Sequence, residues 1–311
     1  MDWEEKYMSR CLQLAAYGSG RTAPNPMVGA VIVRNGKITG EGFHRRYGEF
    51  HAEVNAINAV KNPELLREST LYVNLEPCSH QGKTPPCTGL IIRKQIPRVV
   101  VGMIDPFPEV AGKGINQLRE AGIEVVTGVL EKECQRLNRR FITFHEKQRP
   151  YIILKWAQSS DGFIDRFRQE GGGQSPVQFS DSFRQIAVHK IRAEETAIMV
   201  GSRTERLDRP QLNVRFWYGK NPRIIKPVTG KSLTEQLHEL YTQKILSLLV
   251  EGGSQLLQSF IDEQLWDEAQ VEIHPMKLQE GVKIPELSGT LENVQNCKNS
   301  VLLFFRNDFK P

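Results

Sequence analysis

The feature that most constrains this 311-residue chain is an alternation of short apolar runs with helix-patterned stretches, which occurs in both halves. Residues 3–16 are patterned as a helix, with Met8, Leu12 and Ala15 on one face. An apolar run of strand type follows at 28–33. The Asn35-Gly36 pair is a hairpin turn signal, and 37–43 reads as the returning strand. Helical spacing recurs at 51–60, with Ala52, Ala56 and Val60 aligned. The series continues with a strand at 71–75, a helix at 88–94, a strand at 98–103, a helix at 114–121 and a strand at 123–126. Apolar strands separated by helices bury a sheet from both sides. The first half therefore predicts a layered α/β domain with a mostly parallel sheet and one hairpin at its start.

A polar stretch, His145-Glu146-Lys147-Gln148-Arg149-Pro150, interrupts the pattern and places a domain boundary between 147 and 148. The expected domains are 1–147 and 148–311. The second half resumes with strands at 151–156, 196–200, 245–250, 269–273 and 301–305, and helices at 181–193, 232–241 and 253–261. It reads as a second α/β domain. There is no internal repeat, and Gly171-Gly172-Gly173 is the sole low-complexity block.

Composition narrows the class. The 41 Lys and Arg against 36 Asp and Glu give +5, a mild excess that suits an anionic small molecule at least as well as nucleic acid. No stretch is a dense basic arm, so general nucleic-acid binding is not expected. No apolar run reaches the ~18 residues of a membrane helix. The acidic start, Met1-Asp2-Trp3-Glu4-Glu5, is neither a signal nor a transit peptide, so a cytoplasmic location is expected. Five scattered cysteines do not make a disulfide framework, and in a reducing compartment a close pair reads as metal-binding or catalytic.

The sharpest chemical signal is His51-Ala52-Glu53, then Pro77-Cys78, then Cys87. One imidazole and two thiolates form a three-ligand set for Zn²⁺ with the fourth position left for water. Zinc lowers the pKa of such a water. Glu53, two residues after His51, can face that water without ligating and carry its proton to a leaving amine. The pattern is that of zinc deaminases. Two other readings stand beside it: a closed structural zinc with His80 as fourth ligand, and inert buried cysteines. Between Cys78 and Cys87 lie eight residues that include His80 and Lys83, both able to face an anionic group such as a phosphate.

With these residues on the page, the first half resembles the bifunctional riboflavin-biosynthesis deaminase–reductase family. The resemblance is carried by Ala23-Pro24-Asn25-Pro26-Met27-Val28-Gly29, Gly42-Phe43-His44, His51-Ala52-Glu53, Leu75-Glu76-Pro77-Cys78-Ser79-His80, Gly82-Lys83-Thr84-Pro85-Pro86-Cys87 and Asp105-Pro106. It implies a cytidine-deaminase-like three-layer domain followed by a dihydrofolate-reductase-like α/β domain. The implied chemistry is deamination of 2,5-diamino-6-(5-phosphoribosylamino)pyrimidin-4-one, then NADPH-dependent reduction of the ribosyl group to ribityl. It further implies Zn²⁺ on His51, Cys78 and Cys87, Glu53 as the catalytic acid–base, and substrate contacts at Asn25, His44, His80, Lys83 and Thr84. A homo-oligomer, dimer or tetramer, is implied as well.

In the second half, the resemblance rests on 154–162, on Val200-Gly201-Ser202-Arg203-Thr204, on 208–215 and on Val250-Glu251-Gly252-Gly253. It implies cofactor contacts at Lys155, Ala157, Asp161, Gly201, Thr204, Asp208, Gly252 and Gly253. Substrate contacts are implied at Ser180, Leu212, Arg215 and Glu251. Gly252-Gly253 has its own rationale, because glycines opening a helix let backbone N–H groups approach an anion; a plain tight turn is the competing reading. Arg215 could pair with a phosphate or be a surface arginine. The chain departs from the family in carrying Phe163 where a Lys is usual after Asp-Gly, and Arg209 in place of an Asn. It is also short after Asn221-Pro222-Arg223-Ile224-Ile225, where the family has a few tens of residues and another strand. Either part of the cofactor sheet is lacking or a disordered stretch is missing from the sequence; the latter is expected. Two alternatives remain: a tRNA adenosine deaminase or other nucleobase deaminase, and a second domain that only binds or oligomerises.

Overall fold

A computed structural model describes residues 2–79, 85–107 and 110–307. The chain divides into two compact units, Met1–Lys147 and Gln148–Pro311.

The first unit runs α1 (Trp3–Ala16), β1 (Gly29–Arg34), β2 (Lys37–Phe43), α2 (Ala52–Asn58), a 3-10 turn (Pro63–Glu68), β3 (Thr70–Leu75), α3 (Cys87–Arg93), β4 (Arg98–Met103), α4 (Lys113–Glu120), β5 (Glu124–Thr127), α5 (Glu131–Leu137) and α6 (Arg139–Lys147). Asp2 and Glu5 cap α1 reciprocally, which fixes where it starts. The sheet order is β2-β1-β3-β4-β5. It is less parallel than the strand spacing suggests. β1 lies inside the sheet and runs antiparallel to both neighbours, and only β3–β4 and β4–β5 are parallel. The hairpin causes this, because it places its returning strand β2 at the edge and leaves β1 to pair with β3.

Alternate strand residues serve opposite faces. Ala30, Ile32, Val99 and Val101 pack with α2, α3 and α4 through Ala52, Ala56, Ile91 and Leu118. Val31, Val33 and Val100 pack with α1 and α5 through Met8, Cys11 and Cys134. Burial on both faces explains why these strands read as continuous apolar runs rather than alternating ones.

The second unit runs β6 (Tyr151–Ser159), β7 (Phe163–Asp165), α7 (Ser182–Glu194), β8 (Ala197–Met199), α8 (Ser202–Asp208), β9 (Arg223–Ile225), α9 (Leu233–Thr242), β10 (Ser247–Glu251), α10 (Ser254–Asp262), β11 (Glu268–His274), β12 (Val282–Lys283), β13 (Thr290–Asn296) and β14 (Val301–Arg306). Its main sheet has the order β13-β14-β11-β6-β10-β8-β9. The strands from β11 to β9 are mutually parallel, and β14 and β13 close the other edge antiparallel. Ile152, Leu154, Leu248 and Val250 face α9 and α10 through Leu237, Leu257 and Phe260. Tyr151, Ile153 and Leu249 face the other side, where Ile191 of α7 packs. After Ile225 the chain passes through 226–232 directly into α9, so β9 is the outer strand. Among the described residues, no helix is long and apolar enough to cross a membrane.

Candidate active sites

In the first unit, three local decisions bring the predicted ligands together. His51 is the N-cap of α2 in extended conformation, yet its side chain makes no capping bond. The imidazole is therefore available to other partners. Cys78 follows the end of β3, and Cys87 is the first residue of α3. The Cys78 carbonyl accepts from the Thr88 backbone N–H at 3.2 Å, tying the segment after β3 to the start of α3. α2 can approach β2 closely because Gly42 has no Cβ, which would meet the Ala56 nitrogen.

The result is compact. His51 Nδ1 lies 3.5 Å from Cys78 Sγ and 3.4 Å from Cys87 Sγ. One donor atom from each of the three residues lies within 4.8 Å of the other two. Zn–S bonds of ~2.3 Å and Zn–N bonds of ~2.0–2.1 Å at tetrahedral angles imply N···S edges of ~3.5 Å, so the donor set fits zinc. His51 is pushed up, chiefly by its hydrogen bond with Cys78. Interaction with Cys87, and then with His51, pulls the Cys78 thiol down, while interaction with Cys78 and burial push Cys87 up. Glu53 is 3% exposed. Burial, followed by the charge of Cys78, raises it to about 7.

A cavity of about 570 Å³ opens on this cluster, and Asn25, His44, His51, Glu53 and Cys78 line it. His44 Nδ1 sits 3.1 Å from the Phe50 carbonyl, so it carries the proton. Nε2 is then an acceptor, and the Asn25 amide NH₂ donates to it at 3.1 Å. Tyr47, Glu76, Phe107, Phe141 and His145 also line the cavity and were not singled out from sequence. Glu76 stood inside a quoted motif; the aromatic residues gave no spacing signal. His80, Lys83 and Thr84 lie outside the described residues, and with them the possible fourth ligand.

In the second unit, a cavity of about 710 Å³ sits at the carboxyl ends of β6, β8 and β10, the usual ligand position in open α/β sheets. Lys155, Ala157, Ser180, Gly201, Thr204, Asp208, Leu212, Glu251, Gly252 and Gly253 all line it. Gly252 and Gly253 have φ of 67° and 73°, and Gly253 is the N-cap of α10. A Cβ on Gly253 would meet Thr204 Oγ1 at 3.0 Å. This open backbone at a helix start fits the diphosphate of a dinucleotide.

Two expected residues are elsewhere. Asp161 is not among the cavity-lining residues and accepts the backbone N–H groups of Leu278 and Gln279. A hydrogen bond from Ser159, aided by those two, holds it down at about 2. Arg215 is also absent from the lining; it bonds Asn213 Oδ1 at 3.0 Å and stacks on Phe216. Both belong to segments that carry the resemblance, and both have local partners.

The partners that fix the charged groups of the cavity, Arg168, Arg192 and Glu272, had no sequence signal. Arg192 grips Glu251 with two bonds of 2.8 and 2.6 Å. Arg168 joins Asp165 and Asp208. Glu272, 1% exposed, accepts from Ser180 at 2.6 Å and Ser300 at 3.0 Å. Burial lowers the Lys155 pKa against the opposing pull of Glu251 and Glu272.

Comparison with known proteins finds relatives of both units. Residues 1–103 match the cytidine and deoxycytidylate deaminase zinc-binding region. Residues 150–234 and 228–302 match the RibD C-terminal domain in two pieces that meet at 228–234. The riboflavin biosynthesis protein RibD of Aquifex aeolicus (strain VF5) is 37% identical, with 97% of this chain and 98% of that protein covered. That alignment runs to 356 positions, beyond the 311 residues here, so the relative carries sequence this chain lacks. The crystal structure of a diaminohydroxyphosphoribosylaminopyrimidine deaminase/5-amino-6-(5-phosphoribosylamino)uracil reductase from Thermotoga maritima matches with a TM-score of 0.89 at 36% identity, covering 98% of this chain and 99% of that one. Acinetobacter baumannii RibD, form 1, gives a TM-score of 0.89 at 30% identity, with 98% of each chain covered. The chain belongs to the RibD family of zinc- and NADPH-dependent bifunctional deaminase–reductases of riboflavin biosynthesis.

Proposed function

We propose that the chain deaminates 2,5-diamino-6-(5-phosphoribosylamino)pyrimidin-4-one at the first site and reduces the ribosyl group of the product at the second. The observation that carries the reading is the His51–Cys78–Cys87 cluster with Glu53 buried beside it. His51, Cys78 and Cys87 would hold zinc, which would supply Lewis-acid activation of a water. Glu53 takes a proton from the water and delivers it to the departing amine, so water is consumed and ammonia released. Asn25, its NH₂ committed to His44, offers its carbonyl oxygen to a ring N–H or amino group. His80, Lys83 and Thr84 are assigned to the substrate phosphate.

At the second site, bound NADPH would supply the hydride for reduction at C1′ of the sugar, with a proton going to the ring oxygen as the ring opens. Gly201, Thr204, Gly252 and Gly253 are assigned to the cofactor, with Lys155, Ala157 and Asp208 beside it. Ser180, Leu212 and Glu251 are assigned to the substrate. Asp161 and Arg215 are assigned to the support of neighbouring loops. The domains are taken as 1–147 for deamination and 148–311 for reduction. The family's match in two pieces meeting at 228–234 supports an interval shorter than in the family.

The enzyme is taken to act on small molecules and not on nucleic acid, in the cytoplasm and as a dimer or tetramer. The test is to supply the diamino pyrimidine ribosyl phosphate with and without NADPH, following ammonia and nicotinamide absorbance separately. Ammonia should appear without NADPH, and NADPH should be consumed only after deamination. Deamination of a tRNA anticodon loop but not of the pyrimidine would overturn the reading.

A further inference from the structure

We propose that Glu76 is a positioning residue of the deaminase site. Its buried carboxylate fixes the part of the cavity wall formed by Asp105, Phe107 and Val110. The inference rests on the deaminase reading above. Glu76 is 4% exposed, and its two oxygens accept four backbone N–H groups. Oε2 takes those of Asp105 at 3.2 Å and Gly112 at 2.9 Å. Oε1 takes those of Gly114 at 2.8 Å and Ile115 at 3.3 Å. One carboxylate thus satisfies donors at the start of α4, where a negative charge is favoured, and also the first turn of the segment after β4.

Phe107 and Val110 lie between the anchored Asp105 and Gly112, and with Asp105 they line the same cavity as Glu53 and His51. The segment adds short-range bonds of its own: Asp105 accepts from the Phe107 N–H at 2.9 Å, and Val110 N–H bonds the Phe107 carbonyl at 2.8 Å. Glu76 ties it to the strand that leads to Cys78, and the Glu76 backbone N–H bonds the Met103 carbonyl at 2.9 Å. α4 packs closely enough to reach the carboxylate because position 114 is glycine; a Cβ there would collide with the Pro77 carbonyl oxygen.

Cys78 does not depend on this carboxylate for its place. Its carbonyl is held by Thr88, and its sulfur by the Cys87 N–H and His51. Loss of the Glu76 charge should therefore displace the substrate-facing wall and leave the ligands where they are. In Glu76→Gln, an amide NH₂ replaces an acceptor and faces two N–H donors.

The experiment measures steady-state deamination and bound zinc for the unaltered chain, Glu76→Gln, Phe107→Ala and the double variant. Losing charge-assisted bonds worth ~1.5–3 kcal/mol should raise KM about tenfold or more in Glu76→Gln, with kcat within threefold and zinc content unchanged. Phe107→Ala should raise KM as well, and the double variant should be no worse than Glu76→Gln alone, because both act through one wall. The assignment is overturned if Glu76→Gln lowers kcat at constant KM, loses zinc, fails to fold, or matches the unaltered chain. An additive double variant, or a silent Phe107→Ala, overturns it too. If the unaltered chain released no ammonia, the deaminase reading would fall first and this one with it.

Discussion

The side-chain amide of Asn25 points its NH₂ at His44 Nε2, 3.1 Å away, because the other imidazole nitrogen is committed to the Phe50 carbonyl. One tautomer of a buried histidine thus decides which end of the Asn25 amide faces the cavity. Loss of that carbonyl acceptor in Asn25→Ala removes a hydrogen bond worth ~0.5–1.5 kcal/mol, so KM for deamination should rise roughly 3–10-fold with zinc retained. Unchanged kinetics in that variant would show that Asn25 is only a turn residue.

Gly253 has the backbone conformation that a side chain resists, and Thr204 stands where the Cβ would go. Strain of this kind costs ~1–3 kcal/mol. Gly253→Ala should therefore weaken NADPH binding by about tenfold, read from quenching of cofactor fluorescence, with zinc binding untouched. Equal affinity would return the Gly252-Gly253 pair to a plain tight turn.

The Arg192–Glu251 pair is buried, with 12% of each side chain exposed. Removing one partner of such a pair leaves an uncompensated charge and costs ~3–5 kcal/mol. Urea unfolding of Arg192→Met should show a loss of that size, and Arg192→Met with Glu251→Met should recover part of it. A loss below ~1 kcal/mol would place the pair with exposed ion pairs of little weight.

His189 accepts the Arg215 backbone N–H on Nδ1 at 3.0 Å, a role open to the neutral ring. Burial, reinforced by Arg192 and Arg215, lowers its pKa below the ordinary 6.5. A depressed folded value means that the stabilising contribution is full above the unfolded pKa and fades as pH falls through the folded one. Amide exchange at Arg215, corrected for intrinsic rate, should be faster at pH 5 than at pH 7.5. His189→Phe should abolish that difference. Equal protection at both pH values would remove His189 from this role.

The sequence made the layered α/β order and the zinc ligands legible for the same reason: both are encoded locally. Strands buried on two faces are continuous apolar runs, and a metal site needs particular residue types at helix and strand ends. α5 and α6 were not legible because polar stretches such as Glu131-Lys132-Glu133 mask their single buried faces. β13 was missed because every residue in it is exposed. Arg192 and Glu272 gave no signal, since their partners lie far along the chain, and the same holds for the Arg168 bond to Asp208. Asp161 and Arg215 differ from their sequence neighbours, which line the cavity, in that they bond nearby loops.

The central claim is that Glu53 moves the proton at a zinc site formed by His51, Cys78 and Cys87. Its most direct test is ammonia release by Glu53→Gln, with bound zinc and NADPH oxidation on pre-deaminated substrate measured on the same sample. The expected result is loss of deamination by at least ~10²-fold, the lower end for general acid–base catalysis, with zinc content and reductase rate retained. Deamination at the unaltered rate by a zinc-loaded Glu53→Gln enzyme would contradict the account.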